Sequence, residues 1–559
     1  MKRILCFMLA ILFVMPLSTA LAETNTKLQI ITVNDSNGNG VIEQSEVVNA
    51  ASSYEGVTLV SFYDESNRLI TCSYIYNDKF SVPNGTKLAK VYVWGTAKVE
   101  VKEEPKDDQT VKPEVFGGDN GQITVGFFGA STTQMGHYTK IIEHYYHTRY
   151  PNKDIVFVNK AIPGNSLGSF ISRFEWDITG DELSGKIDEA IITFGFNDSS
   201  PIYYVEGEKY SREKQDQNIA LYAQNLEKVI NLCEEANIKL TIMSPQLFDP
   251  HVENCTSQYP DSVNTYGLSK MTKHAQEIAK KYNLPYIDIW TPLTETTTKI
   301  REEYGVKGPI IVTTDGIHPG EQGGFYMAYV ILKAQEGGSS FVAKVNVDVA
   351  NSAISAQNAS VKLTKADKTR VEYEYLPNAL PLAYNGNYKQ FEEWGIPVTE
   401  EMNLETIKVT GLEDGQYQIS IGGNVLSKTY TASQLAEGVN ISIDTKNPAQ
   451  MQALQSYMNT ISKASYESKY RGIATTEQAI KSHPEVDVSQ FNENSTEDEL
   501  KVLGTAYISM YKSYFSNSPT EYGAKKYEVE NWNKIREREQ KIKDMSKPVQ
   551  RTVVIEKIK

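Results

Sequence analysis

The spacing of apolar positions changes character several times along the chain, and the changes divide it. Val57–Tyr63, Leu69–Ile75 and Leu88–Trp94 are runs rich in β-branched and aromatic residues, broken by Asp-Glu-Ser-Asn and Pro-Asn-Gly turns. They predict a small β-sandwich within residues 23–102. Residues 103–121 hold clustered charges, two prolines and three glycines, which predicts a linker. From Ile123 onward short, nearly continuous apolar runs take over: Ile123–Phe128, Ile155–Val158, Ala190–Phe194, Leu240–Met243 and Tyr286–Ile289. Amphipathic stretches such as Tyr222–Glu235 and Leu268–Tyr282 lie between them. Strands apolar on both faces and separated by helical crossovers predict a parallel sheet sandwiched by helices, an α/β domain spanning 122–336. Past Gly337-Gly338 the period returns to two in Phe341–Val349, Ser360–Leu363, Val371–Tyr375, Ile407–Val409 and Tyr417–Ile421. A second β domain is expected over 337–446. The remainder, 447–559, reads as mostly helical, with a final strand at Thr552–Ile555.

The first 22 residues have a different texture. Lys2 and Arg3 precede an apolar stretch from Ile4 to Leu17, and Ala20-Leu21-Ala22 forms a small-x-small cleavage pattern. This is the layout of a secretory signal peptide. The run is shorter than the about 20 residues a membrane span requires, and no later segment approaches that length, so a secreted protein with no transmembrane segment is expected. The formal net charge of −14 repels phosphate backbones and argues against a nucleic-acid partner. Loss of Cys6 with the leader leaves Cys72, Cys233 and Cys255. Cys233 and Cys255 could pair, but their spacing does not decide it.

Just after the leader, Asp35, Asn37, Asn39, Gly40, Val41 and Glu46 occupy positions 1, 3, 5, 6, 7 and 12 of a calcium-loop pattern. Oxygen donors on alternate residues, a glycine at the sharp turn and a distal carboxylate suit Ca²⁺. A plain Asn/Gly turn is the alternative, and no second loop accompanies this one.

Four signals in the α/β segment carry chemistry. Gly129-Ala130-Ser131 follows the first apolar strand, and Pro163-Gly164-Asn165-Ser166 the second. Gly195-Phe196-Asn197-Asp198 follows the third, and Asp315-Gly-Ile-His318 lies near the end. Strand ends of open α/β sheets are where ligands bind. A serine hydroxyl becomes a nucleophile when a base takes its proton, and an imidazole needs an acceptor to fix its tautomer. Ser131, His318 and Asp315 supply those roles. The Ser131 and Gly164 backbone amides and the Asn197 side chain supply donors for an oxyanion, with Gly164 expected to be glycine because a ligand must approach closely.

On these motifs residues 123–335 resemble the SGNH hydrolases, also called the GDSL esterase/lipase family. The resemblance implies a three-layer α/β/α sandwich, catalysis without a cofactor, a Ser131 nucleophile, a His318 base, an Asp315 orienting carboxylate and an oxyanion hole of Ser131, Gly164 and Asn197. Ala130 departs from the aspartate that the family often has there. The regions after residue 340 are also similar to C-terminal extensions of secreted bacterial members. The substrate expected is a short acyl ester, an O-acetyl group on a polysaccharide or an acylated small molecule. Alternatives are a lipid acylhydrolase, or a glycan- or wall-binding protein whose hydrolase domain is a scaffold.

Other features are weighed beside these. Gly164-Asn165-Ser166-Leu167-Gly168 also matches the nucleophile elbow of α/β-hydrolases, but Pro163 sits poorly in a strand running into such an elbow. Glu143, His144 and His147 have a spacing that could hold a metal, and are expected instead on an exposed helical face. His137 is expected near the surface behind the serine. Pro201-Ile-Tyr203-Tyr204 could line the substrate cleft or pack.

Overall fold

A computed structural model describes residues 27–33, 54–66, 68–74, 82–84, 86–97, 111–117, 121–305, 312–338, 340–382, 388–442, 444, 466–473 and 527–558, with 42, 47, 454, 457, 463 and 496 singly. The chain divides into two compact units, 1–108 and 109–559. In the first, β1 (Lys27–Val33), β2 (Tyr54–Tyr63), β3 (Leu69–Tyr74) and β4 (Leu88–Ala97) form one antiparallel sheet of order β1-β4-β2-β3. Alternation puts Val33, Val60, Phe62, Ala89 and Val91 on one face, where they bury Ile42 and Val47. Apart from Ile42, the calcium-like loop 35–46, with Asp35, Asn37, Asn39, Val41 and Glu46, lies outside the described residues.

The second unit opens with β5 (Ile123–Phe128), α1 (Ser131–Gln134), α2 (His137–Arg149), β6 (Ile155–Asn159), α3 (Leu167–Arg173) and β7 (Glu189–Ile192). Then come α4 (Phe196–Ser199), α5 (Arg212–Glu235), β8 (Lys239–Met243), α6 (Ser269–Lys281), β9 (Tyr286–Ile287), α7 (Trp290–Tyr304) and α8 (Glu321–Gln335). The five strands form a wholly parallel sheet of order β6-β5-β7-β8-β9. Period-two alternation splits its side chains between two cores. Val125, Phe127, Phe157, Ile191 and Met243 pack with α2, α7 and α8. Phe128, Val158, Ala190, Ile192, Leu240 and Ile242 pack with α3, α5 and α6 on the other face. Both faces are thus covered, as a parallel sheet requires. Because β5 has β6 on one side and β7 on the other, the chain leaves it at a topological switch point, where such sheets open a crevice.

Residues 111–117, expected within the linker, belong to this domain. Phe116 is buried in the first core, its amide donates to the Tyr146 hydroxyl at 3.0 Å, and Val111 bridges to Pro285 beside β9. The polar texture of 103–121 hid one aromatic anchor.

The second β domain is a two-sheet sandwich. β10 (Phe341–Asp348), β11 (Ala353–Gln357), β12 (Ala359–Asp367) and β13 (Arg370–Pro377) are followed by short helices α9 (Tyr388–Glu393) and α10 (Val398–Met402). Next are β14 (Leu404–Thr410), β15 (Gln416–Ile421), β16 (Asn424–Thr431), α11 (Ala432–Glu437) and β17 (Val439–Asn440). The chain ends with α12 (Glu528–Ser546) and β18 (Arg551–Lys557). One sheet has order β11-β10-β14-β17, the other β12-β13-β18-β15-β16, and they share a core including Val345, Tyr373, Ile407, Ile419 and Ile555. The terminal strand is therefore the middle strand of the β domain, with Val554 opposite both Glu372 and Ser420. The sandwich expected to end at residue 446 is completed by residues more than a hundred positions later.

Glu143, His144 and His147 were expected on an exposed face of α2 and are instead buried. Arg538 of α12 donates to Glu143 at 2.7 Å, and the buried Lys463 ammonium donates to Glu143 at 3.0 Å and to the Phe157 carbonyl at 2.6 Å. The C-terminal region covers that face, and its ion pairs explain why a buried helix is polar there. Among the described residues no group of three or more acidic, histidine or cysteine side chains is arranged to hold a metal, and no helix is long and apolar enough to cross a membrane. Cys72, Cys233 and Cys255 are all free thiols, so the Cys233–Cys255 bridge left open by the spacing is not formed.

Helix α8 crosses α2 at Gly324, where an added Cβ would lie 2.9 Å from the His137 carbonyl carbon and 3.1 Å from the Tyr138 nitrogen. His137 is half-buried at this crossing. Since the obstructing atoms are backbone and the His137 Cβ that the backbone fixes, Gly324→Ala should destabilise the protein by ~1–3 kcal/mol, the usual cost of overpacking. The check is a lowered thermal midpoint, with a smaller effect for Gly168→Ala in α3, where an added Cβ would make only ordinary contacts at 3.5 and 3.6 Å.

Candidate active site

Ser131 begins α1, with Gly129 and Ala130 between it and the end of β5. His318 comes from the loop before α8. The two are 187 positions apart, yet His318 Nε2 lies 2.7 Å from Ser131 Oγ. On the other side of the ring, Nδ1 lies 2.7 Å from Asp315 Oδ2. With the Nδ1 proton donated to the carboxylate, Nε2 is left to accept the serine proton. Asp315 Oδ1 accepts from the amides of Ile317 and His318 at 2.8 and 2.9 Å and from the Thr313 hydroxyl at 2.9 Å. Burial alone would raise the Asp315 carboxyl. The His318 ring, the two amides and the Thr313 hydroxyl outweigh it and hold the group below its ordinary value.

The short loop carrying Asp315 and His318 is fastened at both ends and along its length. Val312 bridges to Pro319, and the Thr313 amide donates to the His318 carbonyl at 2.8 Å. Residues after β8, which carry no sequence motif, hold its outer side. Gln246 Nε2 donates to the Ile317 carbonyl at 2.8 Å, the Asp249 amide to the Gly316 carbonyl at 2.8 Å and the Thr256 amide to the Thr314 carbonyl at 2.7 Å.

The loop after β6 makes a tight turn closed by the Asn165 amide on the Ile162 carbonyl at 3.2 Å. Pro163 and Gly164 fill its two central positions, and Gly164 has φ +77°. Proline presets the first of these positions, and glycine alone enters the left-handed region at the second without strain. The structure gives a reason for Gly164 besides the expected close approach of a ligand, since a Cβ there would meet no protein atom within 4 Å. That reason is conformational.

Asn197, at the start of α4, donates from Nδ2 to the Asn165 carbonyl at 2.8 Å. One amide proton is thereby used to hold the 162–165 turn, and the second is left for a ligand oxygen. Its neighbour Asp198 accepts from the Leu167 amide at 2.8 Å. The Gly-x-Asn-Asp motif therefore straps the preceding loop through two adjacent side chains, a role for Asp198 that the motif contained and the sequence reading did not assign. Burial pushes the Asp198 carboxyl up to about 7, against the lowering effect of the Leu167, Asp198 and Gly195 amides.

Ser131, Asn165 and Asn197 share one small cleft of about 30 Å³, walled by Ala130, Thr193, Phe196, Gln246 and Ile317. Ser166 is not part of this arrangement. It caps α3, accepting from the Ser169 amide at 3.3 Å. Tyr204 packs in the second core, with its hydroxyl against Gly267, rather than lining the cleft.

With this geometry in view, residues 125–331 match the family described as GDSL-like lipase/acylhydrolase. These residues belong to that family. Membership makes the chain an ester-hydrolysing enzyme whose chemistry needs no cofactor. No curated protein sequence matches the chain. Among solved structures, a gut microbial diltiazem-metabolizing enzyme superposes with a TM-score of 0.65 at 22% identity, over 81% of this chain and 100% of that one. The shared fold thus extends beyond the GDSL domain. An acetyl xylan esterase matches with a TM-score of 0.31 at 19% identity, over 38% of this chain and 99% of its own. A lipase/acylhydrolase from Enterococcus faecalis matches at 0.28 and 18% identity, over 39% and 96%.

Two measurements check this site. A fluorophosphonate should label Ser131 in the intact protein, with labelling abolished by Ser131→Ala and kept by Ser166→Ala. Asp198 holds a proton in the folded state that the unfolded chain releases near pH 4. Its contribution to stability is therefore present at low pH and lost as pH rises from about 4 through about 7. Asp198→Asn, which keeps an acceptor for Leu167, should gain on the wild type over that window by roughly 2–4 kcal/mol. Thermal midpoints measured at pH 4.5 and 8 read the difference.

Proposed function

We propose that this enzyme is a secreted serine esterase that removes short acyl groups, acetyl foremost, from a polysaccharide or an acylated small molecule. The observation that carries the reading is the hydrogen-bonded line Asp315–His318–Ser131 opening onto a cleft of about 30 Å³. So small a cleft beside the serine favours a short acyl group over a fatty chain. Ser131 Oγ attacks the ester carbonyl as His318 Nε2 takes its proton. The tetrahedral oxyanion is met by the Ser131 and Gly164 amides and the remaining Asn197 N–H. His318 then returns the proton to the departing alcohol, leaving an acyl-enzyme on Ser131. Water, activated by the same imidazole, releases the acid and restores the serine. Asp315 keeps its charge throughout and stabilises the imidazolium.

Export rests on the leader pattern of residues 1–22, and N-terminal sequencing of the protein from culture medium would find the mature chain starting after Ala22. For the chemistry, p-nitrophenyl acetate should be hydrolysed and p-nitrophenyl palmitate should not. His318→Ala should lose nearly all turnover, and Asn197→Ala about 10²–10³-fold in kcat. Acetate released from an acetylated polysaccharide, measured directly, decides the physiological class. Preference for the palmitate ester would replace this reading with a lipid acylhydrolase.

A further inference from the structure

The loop from Asn159 to Asn165, which carries the Gly164 amide, is held from behind by charged groups that the sequence motifs do not contain. Arg173, the last residue of α3, is buried and points its guanidinium fork at this loop. Nε donates to the Asn165 side-chain oxygen at 2.8 Å, and Nη2 donates to the Lys160 carbonyl at 2.7 Å. One planar group thus spans the loop from its first to its last turn, a geometry that lysine cannot reproduce. Nη1 pairs with the buried Asp177.

Asp177 is in turn paired with Arg471, from helical residues 466–473 of the C-terminal region. The same segment reaches the loop's other end. Arg471 Nη2 donates to Asp181 at 2.9 Å, and Asp181 also pairs with the buried Lys160 ammonium. Glu467 accepts from the Asn159 amide at 3.2 Å, while Asn159 Nδ2 donates to the Thr133 carbonyl at 2.6 Å in the serine's own helix. Ser468 accepts from Gln134 Nε2 at 2.9 Å. A segment more than three hundred positions away therefore touches both the turn bearing Ser131 and the loop bearing Gly164.

We propose that Arg173 is a positioning residue that sets the Gly164 loop, and that Arg471 completes it through Asp177, making the C-terminal extension part of the catalytic unit. This rests on the serine-esterase reading above. An amide displaced by a few tenths of an ångström meets a ground-state carbonyl almost as well but an oxyanion worse, so the effect falls on the transition state.

The test uses the full chain and p-nitrophenyl acetate, well below each variant's thermal midpoint. Arg471→Ala should lower kcat at least 10-fold with KM within twofold of wild type, and slow fluorophosphonate labelling of Ser131 in proportion. Arg173→Lys keeps a charge for Asp177 but loses the fork, and should show the same split. This second variant serves if Arg471→Ala does not fold. Arg173→Lys combined with Arg471→Ala should cost little more than Arg173→Lys alone, because both act through one line of contacts. Arg536→Ala removes a C-terminal contact to the Leu183 carbonyl at 3.1 Å that does not reach the loop, and should leave kcat unchanged. The proposal is overturned if the arginine variants keep kcat within twofold while only their midpoints fall, or if their losses simply multiply. Retention of turnover by Ser131→Ala would instead overturn the esterase reading, leaving the two failures distinguishable.

Discussion

The 2.7 Å approach of His318 Nε2 to Ser131 Oγ joins the ends of the GDSL domain, and much of the architecture serves to hold it. The serine follows β5, an inner strand of the parallel sheet, at the point where the chain turns to opposite sides. The imidazole arrives on a loop, so its position depends on neighbours: the Val312–Pro319 bridge, the Asp315 carboxylate, and hydrogen bonds from the Gln246 side chain and the Asp249 and Thr256 amides. Side-chain exposures of 25% for His318 and 38% for Asp315 leave the pair wet. The arrangement therefore relies on aim more than on desolvation, since charge interactions are screened where water enters.

The C-terminal region binds the two parts of the second unit together by its path. After β17 the chain returns to the hydrolase, places Lys463 and residues 466–473 against it, runs along α2 as α12, and ends as the middle strand of the β sandwich. Its contacts with the hydrolase join the apolar Tyr470, Trp532 and Ile535 to buried ion pairs: Lys463 and Arg538 with Glu143, Arg471 with Asp177 and Asp181. Buried ion pairs return little net stability over apolar packing, but a missing partner is costly.

Much of the α/β domain was legible because its strands are apolar on both faces. Ile123–Phe128 forms over the same residues read from the pattern, and Leu240–Met243 is extended by one residue. The motifs at Ser131, Gly164, Asn197 and Asp315–His318 were legible because each joins a chemically distinctive residue to a glycine turn at a strand end or loop. Tyr286–Ile289 was overextended, since β9 stops at Ile287 and Asp288 turns inward to accept from Ser244 and Thr291. The polar face of α2 was misread as exposed. Local pattern reports polarity, and polarity means solvent only when no charged partner is folded onto it from elsewhere.

From the order of residues alone came the candidate serine, histidine and aspartate and the parallel sheet, because each is written in contiguous stretches whose chemistry is local. Tertiary structure decided which distant charges meet: Asp177 and Asp181 with Arg471, Glu143 with Lys463 and Arg538. It also decided that the last strand fills the centre of a sheet begun two hundred residues earlier. Ion pairs and strand neighbours between remote segments leave no periodicity in either partner, so only the folded chain brings them into view.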